Sequence, residues 1–383
     1  VTEVRPFQEW VVKCVQPCNL ACDHCYVYEL RDTSWRSKPR FMVEGTADRL
    51  AARIAEHARK HDLESVRIVL HGGEPLLAGR RRIEHLLSVL QSELRGIARC
   101  DISLQSNGTL LDPRWLELFH RYGVSVGVSL DGDRDANDRH RRSKNGRSSH
   151  TAVQRGLELL KRPENRALYR GLLCTVDLAN DPGSVYAALL AQEPKRVDFL
   201  LPHATWEYPP PGHDPRHTPY ARWLIEIFER WYSAPRRETR IRLFDNIMDL
   251  SLGGEVRSSS VGLAASDVIV VESDGSVELP DSLKAAYEGA AATGMNVFDH
   301  DFDTVARFPA VVDARGEGPE TLAEECQGCS VVRICGGGLR AHRFHPTTGF
   351  ANPSVYSADL RVLTTHIRDR VVADVTAMLE RAS

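Results

Sequence analysis

Three cysteines crowd near the start of the chain, in Cys18-Asn19-Leu20-Ala21-Cys22-Asp23-His24-Cys25-Tyr26, at C-x3-C-x2-C spacing. The apolar segment Trp10-Val11-Val12 precedes them, so a strand would deliver the chain into a tight loop able to wrap three thiolates around one metal centre. Thiolates are soft ligands that suit iron–sulfur clusters or zinc. Structural zinc takes four protein ligands, whereas three thiolates on a cubane of four irons leave one iron open to an outside ligand. A zinc knuckle with a distant fourth ligand, and plain buried thiols, are the other readings of this loop.

A second group lies far downstream: Cys326-Gln327-Gly328-Cys329, then five residues, then Cys335-Gly336-Gly337-Gly338. Of nine cysteines, these two groups hold six. Cys14, Cys100 and Cys174 stand in apolar surroundings and read as inert core thiols. The 383 residues have room for one large domain and a smaller one, and 42% hydrophobic and 26% charged residues are ordinary for a soluble globular protein. A net charge of -3 gives no case for nucleic acid or membrane as partner. No stretch approaches about 18 uninterrupted apolar residues, and Val1 to Gln16 lacks the apolar core of a signal peptide. Clustered cysteines without an export signal point to metal ligands in a reducing cytosol, hence a cytoplasmic protein.

The elements that must position these groups alternate in type. Val66 to Leu70 is a β-branched run ending in His71-Gly72-Gly73-Glu74-Pro75, and Ile102 to Gln105 ends in Ser106-Asn107-Gly108. Val124 to Leu130 is closed by Asp131-Gly132, and further strands are expected at Tyr169 to Val176 and Val197 to Leu201. Helical spacing fills the intervals, as in Glu44 to Lys60 with Leu50, Ile54 and Ala58 in period. The polar stretch Asp135 to Arg147 is expected as a solvated loop. Repeated strand–helix units imply parallel strands with right-handed crossovers. Six such units predict an α/β fold with an open, partial (β/α)6 barrel, whose function gathers at the carboxyl ends of the strands. The first cysteine loop, His71 to Pro75, Ser106 to Gly108 and Asp131-Gly132 all sit there.

The cysteine spacing, with Tyr26 directly after the third cysteine, resembles the signature of the radical S-adenosylmethionine (SAM) superfamily. The resemblance implies a [4Fe-4S] cluster on Cys18, Cys22 and Cys25, whose open iron chelates SAM's methionine. Gly72-Gly73-Glu74-Pro75 resembles the second signature of that superfamily: the glycines would let the backbone approach SAM, and Glu74 would accept from its ammonium. Asn107 resembles a ribose-contacting residue and Ser129 a SAM-contacting serine. Each is also readable as a plain turn or strand-end residue. Arg142 is the candidate to pair with SAM's carboxylate.

Composition changes at the proline-rich Tyr208 to Pro219, and the domain boundary is expected near Pro235, giving domains 1–235 and 236–383. In the second, Val268 to Glu278 reads as a hairpin with an Asp274-Gly275 turn. With C-x2-C-x5-C at Cys326, Cys329 and Cys335, it resembles the SPASM extension, which carries auxiliary Fe–S clusters in peptide-modifying radical SAM enzymes. Cys18 to Tyr28, Val268 to Tyr287, Cys326 to His342 and Asn352 to Tyr356 narrow the resemblance to FxsB-type peptide maturases. Those enzymes join an aromatic ring carbon to a β-carbon of a ribosomal precursor peptide, forming a cyclophane. The implied partners are that peptide and an external electron donor of flavodoxin or ferredoxin type, with no nucleic acid and no membrane. Two departures stand out. Leu279-Pro280-Asp281-Ser282 replaces a cysteine expected after the hairpin, and Ser357 replaces a late one, so only three ligands of one auxiliary cluster are evident. His342, His345 or a free cysteine could stand in for the fourth. Asp281, Asp245 and Glu272 are proton-acceptor candidates by location alone. Formylglycine or thioether formation on the same scaffold, and a metal-binding module without activity, are the alternatives.

Overall fold

The chain alternates strand and helix from its first strand to its sixth. The computed structural model, which describes residues 5–382, shows β1 (Glu9–Val15), α1 (Glu44–Lys60), β2 (Ser65–Gly72), α2 (Arg80–Leu94), β3 (Arg99–Ser106) and α3 (Pro113–Tyr122). It continues through β4 (Ser125–Ser129), α4 (Arg134–His140), α5 (His150–Lys161), β5 (Tyr169–Thr175), α6 (Pro182–Leu190), β6 (Arg196–Leu200) and α7 (Pro219–Tyr232). Then come β7 (Arg240–Ile241), α8 (Arg242–Ser251), β8 (Val268–Val271), β9 (Ser276–Glu278), β10 (Ala292–Asn296), α9 (Phe302–Ala306) and α10 (Pro309–Ala314). Two one-turn helices, α11 (Glu324–Gln327) and α12 (Val332–Cys335), precede the long α13 (Ser357–Ala382). This is the α/β class expected, with parallel strands joined by helices.

The chain divides into two compact units: Val1–Leu130 with Arg134–Leu172 and Asp267–Arg315, and Asp131–Asp133 with Leu173–Ser266 and Gly316–Ser383. In the first, the strands stand in the order β10-β9-β8-β1-β2-β3-β4. β1 is the pivot, parallel to β2 on one side and to β8 on the other. The hairpin read from Asp274-Gly275 is present as β8–β9, with Gly275 at φ 83. Its parallel partner, though, lies more than 250 residues upstream, and no local pattern announces that pairing. Trp10, Val12, Ile68 and Leu70 are fully buried, as expected where helices cover a parallel sheet.

Local signals set the element ends. Asp112 caps α3 by accepting from the Trp115 N–H at 2.9 Å, Pro113 opens the first turn, and Gly123 closes it in the left-handed region. The segment expected to be a solvated loop carries α4 instead. There Asn137 is fully buried and its amide donates to Ser149 Oγ at 3.2 Å, so one inward-facing polar contact fixes a helix in a run of charges. The second unit holds β6 and β7 in parallel, α6 to α8, and α11 to α13. Among the described residues, no helix is long and apolar enough to cross a membrane.

One buried clamp ties α1 to α9 in the first unit. His57 accepts the Phe7 N–H on Nε2 at 3.0 Å, which leaves its proton on Nδ1, donated to Asp303 at 2.9 Å. Burial, then the neighbouring His61, hold His57 down to about 4. The unfolded chain therefore binds more protons than the fold between about pH 6.5 and pH 4, and stability must fall as pH drops through that window. His57→Gln should flatten the pH dependence by up to about 1.4 kcal/mol per pH unit in that window. Denaturant midpoints of both forms from pH 7 to pH 4 check this; parallel curves would contradict it.

Candidate functional site

The loop after β1 meets the ends of β2 and β3 through one carboxylate. Glu74, 1% exposed, follows β2 and caps the short turn Pro75–Ala78 by accepting from the Leu76 N–H at 3.2 Å. It also accepts from Ser106 Oγ and from the Asn107 N–H, both at 2.8 Å, at the end of β3. Asn107 in turn donates through Nδ2 to Cys18 Sγ at 3.7 Å and to Asn19 Oδ1 at 2.9 Å. Asn19 donates to Thr109 Oγ1 at 2.8 Å, and Thr109 donates back to Asn107. Asn107 thereby links the ends of β2 and β3 to the cysteine loop.

Gly73 is a glycine because a Cβ there would run into the Gln16 and Pro17 carbonyl oxygens and the Tyr28 hydroxyl. The Gly72-Gly73 turn is thus pressed against the backbone that leads into Cys18. Ser129 accepts from Gln105 Nε2 at 3.0 Å at the end of β4. On the other side, the Ala21 N–H donates to the Arg142 carbonyl at 2.8 Å, and His140 pairs with Asp23 at 2.7 Å. The Arg142 guanidinium caps the carbonyls of Asp138 and Gly146 within its own loop. It is Arg141 whose charge is felt at Cys25. The sequence singles out Arg142 over Arg141 with no means of telling which of two adjacent arginines faces the loop.

Burial favours the protonated thiols of the first cysteine loop. Burial pushes the Cys18 thiol up to about 11, although the Leu20 N–H donates to its sulfur at 3.4 Å. Cys25 is raised by burial as well. A bound centre that keeps these sulfurs as thiolates would use the N–H donors around Cys18, and its binding would release protons.

Beside the loop lies a buried ionic group that sequence reading found in part. Asp281 pairs with Lys13, accepts the Tyr26 hydroxyl at 3.4 Å, and stands 3.9 Å from Lys284. Lys284 pairs with Glu272 at 2.6 Å and Glu278 at 2.8 Å, and Gln16 donates to Glu272 at 2.7 Å. Burial pushes the Asp281 carboxyl up, but Lys13 and Lys284 outweigh it and hold it below its usual range. Burial and then Glu272 raise Glu278. Lys13 donates to His71 Nδ1 at 3.2 Å, and burial, then Lys13, keep His71 neutral with a value of about 3. The missed signal was Lys13 itself: an ammonium within the apolar strand Val11-Val12-Lys13-Cys14-Val15 requires a buried carboxylate opposite. Asp245, the remaining acidic candidate, belongs to the second unit and pairs there with Arg240 at 3.0 Å and Arg237 at 3.5 Å.

In the second unit, Cys326, Cys329 and Cys335 line a cavity of about 800 Å3 together with Ser357 and His345. Cys335 is followed by Gly336, Gly337 and Gly338, all left-handed at φ 62, 72 and 66. A Cβ on Gly336 would collide with the Gly262 carbonyl oxygen. Burial raises Cys335 to about 11, and Cys326 and Cys329 raise it further. The three thiols are thus close enough to repel one another's ionisation, which fits ligands sharing one centre. His342 is turned elsewhere, buried among His203 and Tyr356. His345 keeps Nδ1 for Thr347 at 2.9 Å.

Fold and site together describe an α/β protein with two cysteine triads, each able to hold a thiolate-bound metal centre. Residues 13–163 match the model of the Radical SAM superfamily. A serine-type anaerobic sulfatase-maturating enzyme of Klebsiella pneumoniae is 29% identical over 339 residues, covering 85% of this chain and 79% of that protein. A cysteine-type anaerobic sulfatase-maturating enzyme of Clostridium perfringens (strain 13 / Type A) is 25% identical over 332 residues, covering 85% and 86%. The solved structure of native anSMEcpe with bound AdoMet and Cp18Cys peptide superposes with a TM-score of 0.81 at 21% identity, over 97% of this chain and 99% of that one. Residues 13–163 form a radical SAM domain, so the chain is an enzyme that uses a [4Fe-4S] cluster and SAM as cofactors, and its C-terminal part shares the fold of the anSMEcpe extension.

Glu74→Gln tests the carboxylate that joins the strand ends. An amide offers one acceptor oxygen where Ser106, Leu76 and Asn107 now present donors to two. Stability should drop by about 1–3 kcal/mol, and SAM affinity should weaken by roughly tenfold as the Asn107 contact to Cys18 loosens. Urea unfolding and SAM titration of the reconstituted protein measure both. Unchanged stability would contradict the role assigned to these bonds.

Proposed function

We propose that this enzyme modifies a ribosomally made precursor peptide by joining an aromatic ring carbon to a β-carbon, closing a cyclophane. The observation that carries the reading is Asp281: an ionised, buried carboxylate in contact with Tyr26, the residue after Cys25. The ring coupling removes two hydrogens, one as a hydrogen atom from the β-carbon and one as a proton as the ring regains aromaticity, with one electron left over. When bound, the cluster on Cys18, Cys22 and Cys25 with SAM supplies a carbon radical that takes a hydrogen atom from an unactivated carbon, and the centre on Cys326, Cys329 and Cys335 supplies a place for one electron.

The chain's own residues do the rest. Glu74, through Asn107, holds the cysteine loop against the ends of β2 and β3. Gly72 and Gly73 bring backbone close to that loop, and Asn107, Ser129 and Arg141 or Arg142 are the polar groups available to SAM. Asp281 takes the ring proton. Lys13 and Lys284 keep it ionised beforehand, and Glu278, whose protonated form burial favours, lies on the same Lys284 and can share the load. The peptide substrate is supported by the Cp18Cys peptide in a neighbour of the same fold. The first electron would come from an external flavodoxin- or ferredoxin-type donor.

Formylglycine formation is the second reading, favoured by two relatives named as sulfatase-maturating enzymes that each cover 85% of this chain. Both products of a serine or an aromatic residue lose two hydrogens, so mass alone does not separate them. A cyclophane gives no backbone fragments between the joined residues in tandem mass spectra and no hydrazide adduct; formylglycine gives both. With a precursor peptide encoded beside the gene, the cyclophane pattern is expected. Asp281→Asn should retain SAM cleavage to 5'-deoxyadenosine while crosslinking falls about a hundredfold. Equal losses of cleavage and crosslinking would show that Asp281 only balances Lys13 and Lys284.

A further inference from the structure

Behind the second cysteine group stands a cation that the chemistry above leaves unused. Arg343 donates through Nη2 to the Gly336 carbonyl at 2.8 Å and the Gly338 carbonyl at 2.7 Å, and through Nε to the Gly337 carbonyl at 3.1 Å. Three consecutive left-handed residues aim three carbonyls at one point, and the planar fork of a guanidinium fills it. Among the described residues, no carboxylate pairs with Arg343. Burial lowers its pKa to about 10 and the nearby Arg340 adds to that, while Cys326 and Cys335 are the acidic groups that favour its charge. A partly buried guanidinium with a second arginine beside it and only carbonyl dipoles against it is short of an anion. Uncharged thiols would not supply one. A cubane held by three thiolates would, because it is anionic and gains a further negative charge on reduction.

We propose that Arg343 is the built-in counter-cation of the Cys326–Cys329–Cys335 centre as well as the clamp on its glycine turn, so that it positions the third ligand and raises the centre's reduction potential. The proposal rests on the auxiliary-cluster reading given above. It also accounts for the three glycines in a row: one would suffice to leave α12, but three left-handed residues are needed to gather three carbonyls on one guanidinium.

The test uses the full chain with Cys18, Cys22 and Cys25 changed to Ala, reconstituted anaerobically so that only the second centre is present. Its midpoint potential is read by electron paramagnetic resonance during a redox titration. Arg343→Met should lower the reduced-to-oxidised ratio at a fixed potential about tenfold, which for one electron is a shift of about 59 mV to more negative values. Arg343→Lys keeps the charge and loses the fork, so its potential should stay near native while iron is lost faster in air. An unmoved potential in Arg343→Met with full iron content overturns the proposal. If Arg343→Met holds no iron, Arg343→Gln and Arg343→Lys decide, since both keep donors for the glycine carbonyls and only Lys keeps the charge. Iron or a near-native potential in Arg343→Lys with neither in Arg343→Gln supports the charge role, whereas equal behaviour of the two makes Arg343 a structural clamp alone and overturns it. No iron in the parent with Arg343 intact overturns the auxiliary-cluster reading, and this proposal with it.

Discussion

A single buried carboxylate holds the catalytic end of the first unit in register. Glu74 carries no ion-pair partner among the described residues; its charge is met by N–H and O–H donors from Leu76, Ser106 and Asn107. Burial pushes it up to about 7 against those bonds. Because Asn107 sits on both Glu74 and Cys18, the ends of β2 and β3 and the cysteine loop cannot move independently. A loop of three metal ligands needs such support, since its own short turns leave most of its backbone without strand or helix partners.

The ionic group around Asp281 solves a different problem on the same strand ends. Lys13 projects from β1 to Asp281, and Lys284, from the turn after β9, meets Glu272 and Glu278 of the hairpin. With Glu272, Glu278 and Asp281 close enough to share a metal ion, the ammonium groups occupy the place where a cation would otherwise be needed. Each member of the group depends on the others, because removing any one leaves a buried charge unpaired.

Much of this was legible in the sequence because the chemistry sits at strand ends, where motif and topology coincide. Cys18-x3-Cys22-x2-Cys25, Gly72-Gly73-Glu74 and Ser106-Asn107 all close strands that the β-branched runs announce, and the structure brings them together. Other features were illegible for physical reasons. The parallel pairing of β8 with β1 is a long-range choice with no local mark. α4 is held by the inward Asn137 and Ala136 in a segment whose composition is that of a solvated loop. α13 escaped because its apolar residues do not keep to one face, leaving Val372 and Met378 exposed. In the sequence Arg343 is one arginine among many, and only its three carbonyl partners single it out.

The claim underlying all of this is that the chain holds two separate iron–sulfur centres, one on each cysteine triad. Iron and acid-labile sulfide counting after anaerobic reconstitution tests it most directly. Cubanes on both triads predict about eight irons and eight sulfides per chain. Changing Cys18, Cys22 and Cys25 to Ala, or Cys326, Cys329 and Cys335 to Ala, should each leave about four of both. Zinc in place of iron, or a count that falls to zero when either triad alone is removed, would contradict the account.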